Sequence, residues 1–142
     1  MTARLLAASF GSPIEPAAPD YRAGVCNIGP AEIARRRRTG VTMTIVTVAL
    51  LAVLILVHAP VMFRLLAFFT AAVAASGFLQ AWLRFCAGFG WLGVFNFDDV
   101  GTTESVASAE ARARDRAMAI RIGLACAIVG AVVALVAVAL PV

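Results

Sequence analysis

Residues 35–63 read RRRRTGVTMTIVTVALLAVLILVHAPVMF: four consecutive arginines, then an unbroken run from Thr39 to Phe63 without Asp, Glu, Lys or Arg. About 20 apolar residues cross the ~30 Å hydrocarbon layer of a bilayer. Lipid gives backbone N–H and C=O groups no partners, so a run of this kind must close its hydrogen bonds internally, as a helix. Two further stretches, residues 65–83 and 122–142, are equally free of charge. The chain therefore reads as an all-α integral membrane bundle of three transmembrane helices with a basic juxtamembrane helix.

Composition agrees. Of 142 residues, 62% are hydrophobic and 14% charged, against roughly 45–50% and 25% in soluble domains. A water-soluble globule this small cannot hide that much apolar surface. The net charge of +4 is carried by arginine without any lysine, a pattern of GC-rich, bacterial coding. Basic chains can bind nucleic acid, but these arginines flank apolar spans, so anionic lipid headgroups are the expected partner and nucleic acid is not.

The arginines also set an orientation. Arg4, Arg22 and Arg35–Arg38 precede the first span, Arg64 alone lies between the first and second, and Arg84, Arg112, Arg114, Arg116 and Arg121 lie between the second and third. By the positive-inside rule, the N-terminus and the long loop are cytoplasmic and the C-terminus is extracytoplasmic, in a multi-pass plasma (inner) membrane protein. The twin-arginine look of the first span does not make it an export signal, because its apolar run is too long and two more spans follow.

Working outward, residues 1–20 carry three prolines and are expected to be poorly ordered. Residues 21–40 form a turn and a basic juxtamembrane helix, with Pro30 suited to the first helical position and Gly40 loosening or kinking the junction. The spans are placed at 41–58, 62–83 and 122–141, with His58-Ala59-Pro60 as a tight turn. Residues 84–103 form a Gly- and aromatic-rich segment at the interface, too glycine-rich for a good helix, and residues 104–121 a cytoplasmic helix running into the third span. The four-residue segment Gly24-Val25-Cys26-Asn27 echoes Gly93-Val94-Phe95-Asn96, a match that so biased a composition produces by chance.

Small residues recur every fourth position at Ala67, Ala71 and Ala75 in the second span and at Gly123, Ala127 and Ala131 in the third, with Gly130 and Ala134 alongside. Such rows let helix backbones approach closely, and they predict a tight bundle or a homo-oligomer. Arg35, Arg36, Arg37 and Arg38 are the expected basic anchor at the membrane surface.

Candidate chemistry is sparse. Cys26, Cys86 and Cys126 fall on the cytoplasmic side, where three thiolates could hold a soft metal. Against that stand the absence of a CxxC pair and a single histidine, His58, at the opposite face. Isolated cysteines in apolar helices mostly act as small hydrophobes. Proton- or ion-coupled transport needs ionisable groups within the bilayer, and the spans offer only Gln80, Ser76, Thr42, Thr44 and Thr47, which are expected to bond between helices. No acidic pair or Ser/His/Asp set can be assembled.

The segment YRAGVCNIGPAEI (residues 21–33), followed by arginines, resembles the start of small uncharacterised prokaryotic integral membrane proteins with a CNIG-x-x-EI-x-RR pattern. The resemblance implies membrane location and no activity. The expected role is that of a non-enzymatic oligomeric, accessory or scaffold subunit with no cofactor, working with a second copy or a membrane protein partner. The alternatives are a thiol-dependent metal or redox membrane protein, or an oligomeric channel or small transporter.

Overall fold

Why a chain of 27 residues starting at Pro30 forms one helix is plain from its ends. Pro30 takes the first position, where its missing N–H leaves nothing unsatisfied, and Glu32 sits in the first turn, where a carboxylate complements the helix dipole. In the computed structural model, which describes residues 20–141, this helix α1 spans Pro30–Leu56. The basic segment and the first span are thus one continuous helix, and Gly40 does not interrupt it. His58, at φ 51°, turns the chain into a 3₁₀ turn, Val61–Leu66, that leads directly into α2, Ala67–Leu83. A short helix α3, Ala87–Leu92, follows, then strand β1, Val94–Phe95, and strand β2, Glu104–Ser105, and finally α4, Ala109–Ala139.

Three helical stretches, Pro30–Leu56, Val61–Leu83 and Ala109–Ala139, are long and apolar enough to cross a membrane. Their outward faces are apolar as well. Ile45, Phe69, Leu124, Ile128 and Leu135 all stand exposed, which in water would amount to a large unpaired hydrophobic surface.

α2 is the central helix, packing on α1 along one side and on α4 along the other. Both neighbours run antiparallel to it. The crossings are made at glycines: a Cβ on Gly77 would lie 2.6 Å from Gly40 Cα and 2.7 Å from Arg36 O, and one on Gly130 would lie 2.6 Å from Phe68 O. Gly40 is therefore a contact point for α2, not a hinge.

Several expectations are corrected at this level. The small-residue row of α2 holds in outline, with Ala67, Ala71, Ala74, Gly77 and Ala81 buried and Ala75 partly buried. In α4 the packed row is the neighbouring one, Ala119, Ile122, Cys126, Gly130, Ala134 and Ala137. Gly123 and Ala127 face outward, Ala131 is half-buried, and no atom of the described residues lies within 4 Å of a Cβ placed on Gly123. Helix α4 begins at Ala109, where Ser108 Oγ accepts from Ala111 N at 3.3 Å, and not at residue 104. Glu104–Ser105 instead pairs antiparallel with Val94–Phe95, so the fold is mostly helical with a two-stranded ladder. The glycine-rich 84–103 segment contains the helix α3 after all, because Gly90 tucks against Phe85 and the carbonyl of Asp115 at distances no side chain would allow. Thr44 and Thr47 bond to carbonyls four residues back, Gly40 O at 2.9 Å and Met43 O at 2.7 Å, and not to neighbouring helices. The expectation for the first residues, and the place of Arg4, lie outside the described residues.

Arg64 was expected in a short loop. It is only 3% exposed and donates to Ala137 O (3.2 Å) and Leu140 O (3.0 Å), the last turn of α4. A cation belongs there, because a helix C-terminus presents unpaired carbonyls and partial negative charge.

Candidate functional site

The antiparallel threading brings the start of α1, the end of α2 and the start of α4 to one end of the bundle. Arg22, Arg35–Arg38, Arg84, Arg112, Arg114, Arg116 and Arg121 all lie toward it, and Arg64 lies at the other. Three connecting segments meet there and are tied together through two buried asparagines.

Asn27, fully buried, is the centre of the knot. Its side chain bridges the backbone of Cys86 in both directions: Cys86 N donates to Asn27 Oδ1 at 2.6 Å, and Asn27 Nδ2 donates to Cys86 O at 3.1 Å. Its backbone N–H donates to Arg84 O, and its carbonyl accepts from Asn96 N at 3.0 Å. Asn96 organises the next loop, with Oδ1 accepting from Asp98 N and Thr102 Oγ1 and Nδ2 donating to Asp99 O. Gly29 N donates to Asn96 O at 2.8 Å, so the two loops lie side by side in a parallel bridge. The echoed segments Gly24–Asn27 and Gly93–Asn96 are the ones brought together, and both glycines hold the same left-handed backbone, φ 72° and 73°. Glycine adopts that conformation at no steric cost.

A second anchor is Asp115 of α4, also fully buried. Its Oδ1 accepts from Gly24 N at 2.6 Å and its Oδ2 from Tyr21 Oη at 2.7 Å, while the Tyr21 ring stacks on Phe95 with centroids 4.9 Å apart. Burial, then the hydrogen bond to Asp115 and the charge of that carboxylate, push the Tyr21 pKa well above the ordinary tyrosine value. The protonated clamp thus adds stability at neutral pH. That contribution is complete below about pH 10, the ordinary tyrosine value, and is lost as pH rises through the raised one. Tyr21 is the sole tyrosine, so tyrosinate absorbance reads it directly. The expected titration lies above that of free tyrosine and moves down in Asp115→Asn; a normal midpoint in the unsubstituted protein would contradict the clamp.

The four consecutive arginines are not equivalent. Glu32, 1% exposed, pairs with Arg35 at 3.3 Å and Arg36 at 3.8 Å. Arg36 turns inward and donates from Nη2 to Cys86 Sγ at 3.0 Å. Arg37 and Arg38 remain exposed. Cys86 caps α3, its sulfur accepting from Phe89 N at 3.5 Å. Cys26 is half-buried and its thiol points to Ile28 O, whereas Cys126 packs with Phe85, Ala119 and Ile122. Among the described residues no three His, Cys, Asp or Glu side chains gather as a metal-binding group, so the three cysteines do not form one donor set.

Beside the knot lies a cavity of about 680 Å³, bounded by the loop before α1, the first turns of α1 and the end of α2. Arg22, Arg37 and Arg84 line it together with Trp82. Sequence reading placed Asn27 in the turn before α1 but set aside its echo at Asn96, and it missed Asp115 and this cavity. The repeated Gly-Val-x-Asn was a usable signal, and so was helical phase: Asp115 continues the row Ala119, Ile122, Cys126, Gly130 toward the helix start.

Taken together, these features define a membrane-compatible three-helix bundle with a polar, arginine-rich knot at one end. Comparison with known families, with curated proteins and with solved structures finds no match for this chain.

Proposed function

We propose that the chain is an integral membrane protein of the bacterial plasma membrane, crossing it three times with the arginine-rich end in the cytoplasm. It works by association, as an oligomeric or accessory subunit, and not by catalysis. The observation that carries the reading is the separation of surfaces: apolar outward faces along three helices, with the arginines gathered at one end. Each basic residue near an anionic leaflet is worth about 1 kcal/mol, so the arginine-rich end has a strong preference for the cytoplasmic side. The outward row Gly123 and Ala127 supports association, since it leaves small residues on a face that no helix among the described residues covers.

Cysteine labelling tests the orientation. Cys26 is expected to be protected from an impermeant maleimide in intact cells and to react in inverted vesicles; labelling from outside would overturn the topology. Sedimentation in mild detergent tests association, with an oligomer or a stoichiometric co-purifying membrane protein expected. A lone monomer from native membranes counts against an associative role.

A further inference from the structure

We infer that the cavity lined by Arg22, Arg37 and Arg84 is a binding site for one anionic phospholipid, its phosphate held by the three guanidinium groups. The inference rests on the membrane reading above and assigns a ligand to a specific place at the arginine-rich end.

Three observations converge. Ion pairs join Glu32 to Arg35 and Arg36, and Glu110 to Arg114; none among the described residues engages Arg22, Arg37 or Arg84. Three cations from three separate segments, none in an ion pair among the described residues, thus border one cavity of about 680 Å³, with Asp20 as the acid among its lining residues. All three are exposed, and gathering them about one cavity leaves a local excess of positive charge that suits a phosphate, because guanidinium groups match phosphate oxygens with paired N–H donors.

The second observation is the apolar continuation. Arg37 and Trp82 also border a shallow groove floored by Phe78, Leu79 and Ala81 of α2. The two spaces share those two residues, so a head in the cavity has an apolar track for its acyl chain beside it. Trp82 is 81% exposed, and tryptophan with one polar edge favours the headgroup level of a bilayer. Soluble phosphate would use the cavity and leave the groove idle, which is why a lipid is the better fit.

The third is local backbone. Arg84 ends α2 with φ 53°, a left-handed conformation in which glycine or asparagine is the easy choice. Arginine at that position places a third cation at the cavity wall at a conformational cost.

The test uses a Trp91→Phe protein, in which Trp82 is the remaining tryptophan, reconstituted in phosphatidylcholine vesicles and recovered by flotation. Phosphatidylglycerol or phosphatidylcholine with brominated chains is titrated in over the same range of mole fractions, and quenching of Trp82 gives their relative affinity. Brominated phosphatidylglycerol is expected to quench at much lower mole fraction. Arg37→Ala with Arg84→Gly, where glycine suits the left-handed backbone, is expected to lower the preference by about fivefold per charge removed. A charge-matched pair outside the cavity, Arg38→Ala with Arg116→Ala, keeps it. Far-UV circular dichroism checks that each variant retains its helices.

Equal quenching by the two lipids overturns the site, and so does an equal loss in both variant pairs, which would mean diffuse surface charge. Loss of the preference on adding inorganic phosphate, with chloride matching its ionic strength, overturns the lipid in favour of a soluble phosphate ligand. Failure to float with neutral vesicles is a separate result and overturns the membrane reading itself.

Discussion

Leucine at Gly77 is expected to destabilise the bundle by about 3 kcal/mol or more, whereas leucine at Gly123 leaves the packing within one chain intact and acts on the association between copies proposed above. Both positions are mid-helix glycines in apolar sequence, so propensity treats them alike. Packing separates them. A Cβ at Gly77 meets Gly40 Cα at 2.6 Å and Arg36 O at 2.7 Å, atoms of a helix backbone that cannot swing aside as a side chain can. Either α1 and α2 move apart along their whole contact or the contact is lost. Separation would also pull Arg36 from Cys86 Sγ and weaken the knot at the arginine-rich end. At Gly123 no atom of the described residues lies within 4 Å of the added carbon. Titration of the purified protein from mild detergent into SDS, followed by circular dichroism, measures the difference. Equal effects of the two substitutions would show that Gly40 and Gly77 do not form the crossing.

Asn27→Ala is expected to open the knot by about 2–4 kcal/mol. The substitution removes the acceptor of Cys86 N and one of the donors to Cys86 O, both within a fully buried site. An orphaned buried donor costs about 1–3 kcal/mol, more than the net worth of the hydrogen bond it loses. The carbonyl is less exposed to loss, because Gly90 N also donates to it. Cys86 is 2% exposed in the folded chain, so its alkylation in a Cys26→Ser, Cys126→Ala background reports opening. At about 2 kcal/mol the alkylation rate rises roughly thirtyfold. Asn27→Asp keeps an acceptor for Cys86 N but sets an oxygen against Cys86 O, so it is expected to fall on the destabilised side as well. An unchanged rate in Asn27→Ala would mean that the loop is held without this side chain.

The reading of α4 shows how legibility in the sequence varies. The existence of its apolar part follows from the charge-free run after Arg121, since an apolar run of that length has one acceptable conformation in lipid; its start at Ala109 does not. Nor does its rotation. Glycine and alanine occur on nearly every face of α4, and a row of small residues at Gly123, Ala127 and Ala131 looks as good as the row at Cys126, Gly130 and Ala134. The choice is made by α2, whose Phe68 carbonyl and ring and Ala72 methyl lie against Gly130. Once that rotation is known, Asp115 falls on the buried face, and a carboxylate that reads as solvated becomes the acceptor for Tyr21 and Gly24. Arg64 repeats the lesson at the opposite end. In sequence it is the lone charge of a short loop, and only the arrival of the α4 C-terminus gives it carbonyls to bind.

Sequence alone determined the three apolar spans, their order, the asymmetry of the arginines and the helix start at Pro30. These depend on composition and on neighbours within a few residues, and solvation acts on them locally. Tertiary structure alone decided which glycines touch, which of the four consecutive arginines turns inward, and that Asn27, Asn96 and Asp115 meet. Tyr21 and Asp115 are 94 residues apart, and Asn27 and Cys86 are 59 apart. Their partners are supplied by the antiparallel stacking of α1, α2 and α4, which brings distant ends of the chain to one place. The Arg22, Arg37 and Arg84 cavity is of the same kind: three charges scattered along the sequence, made neighbours by the fold.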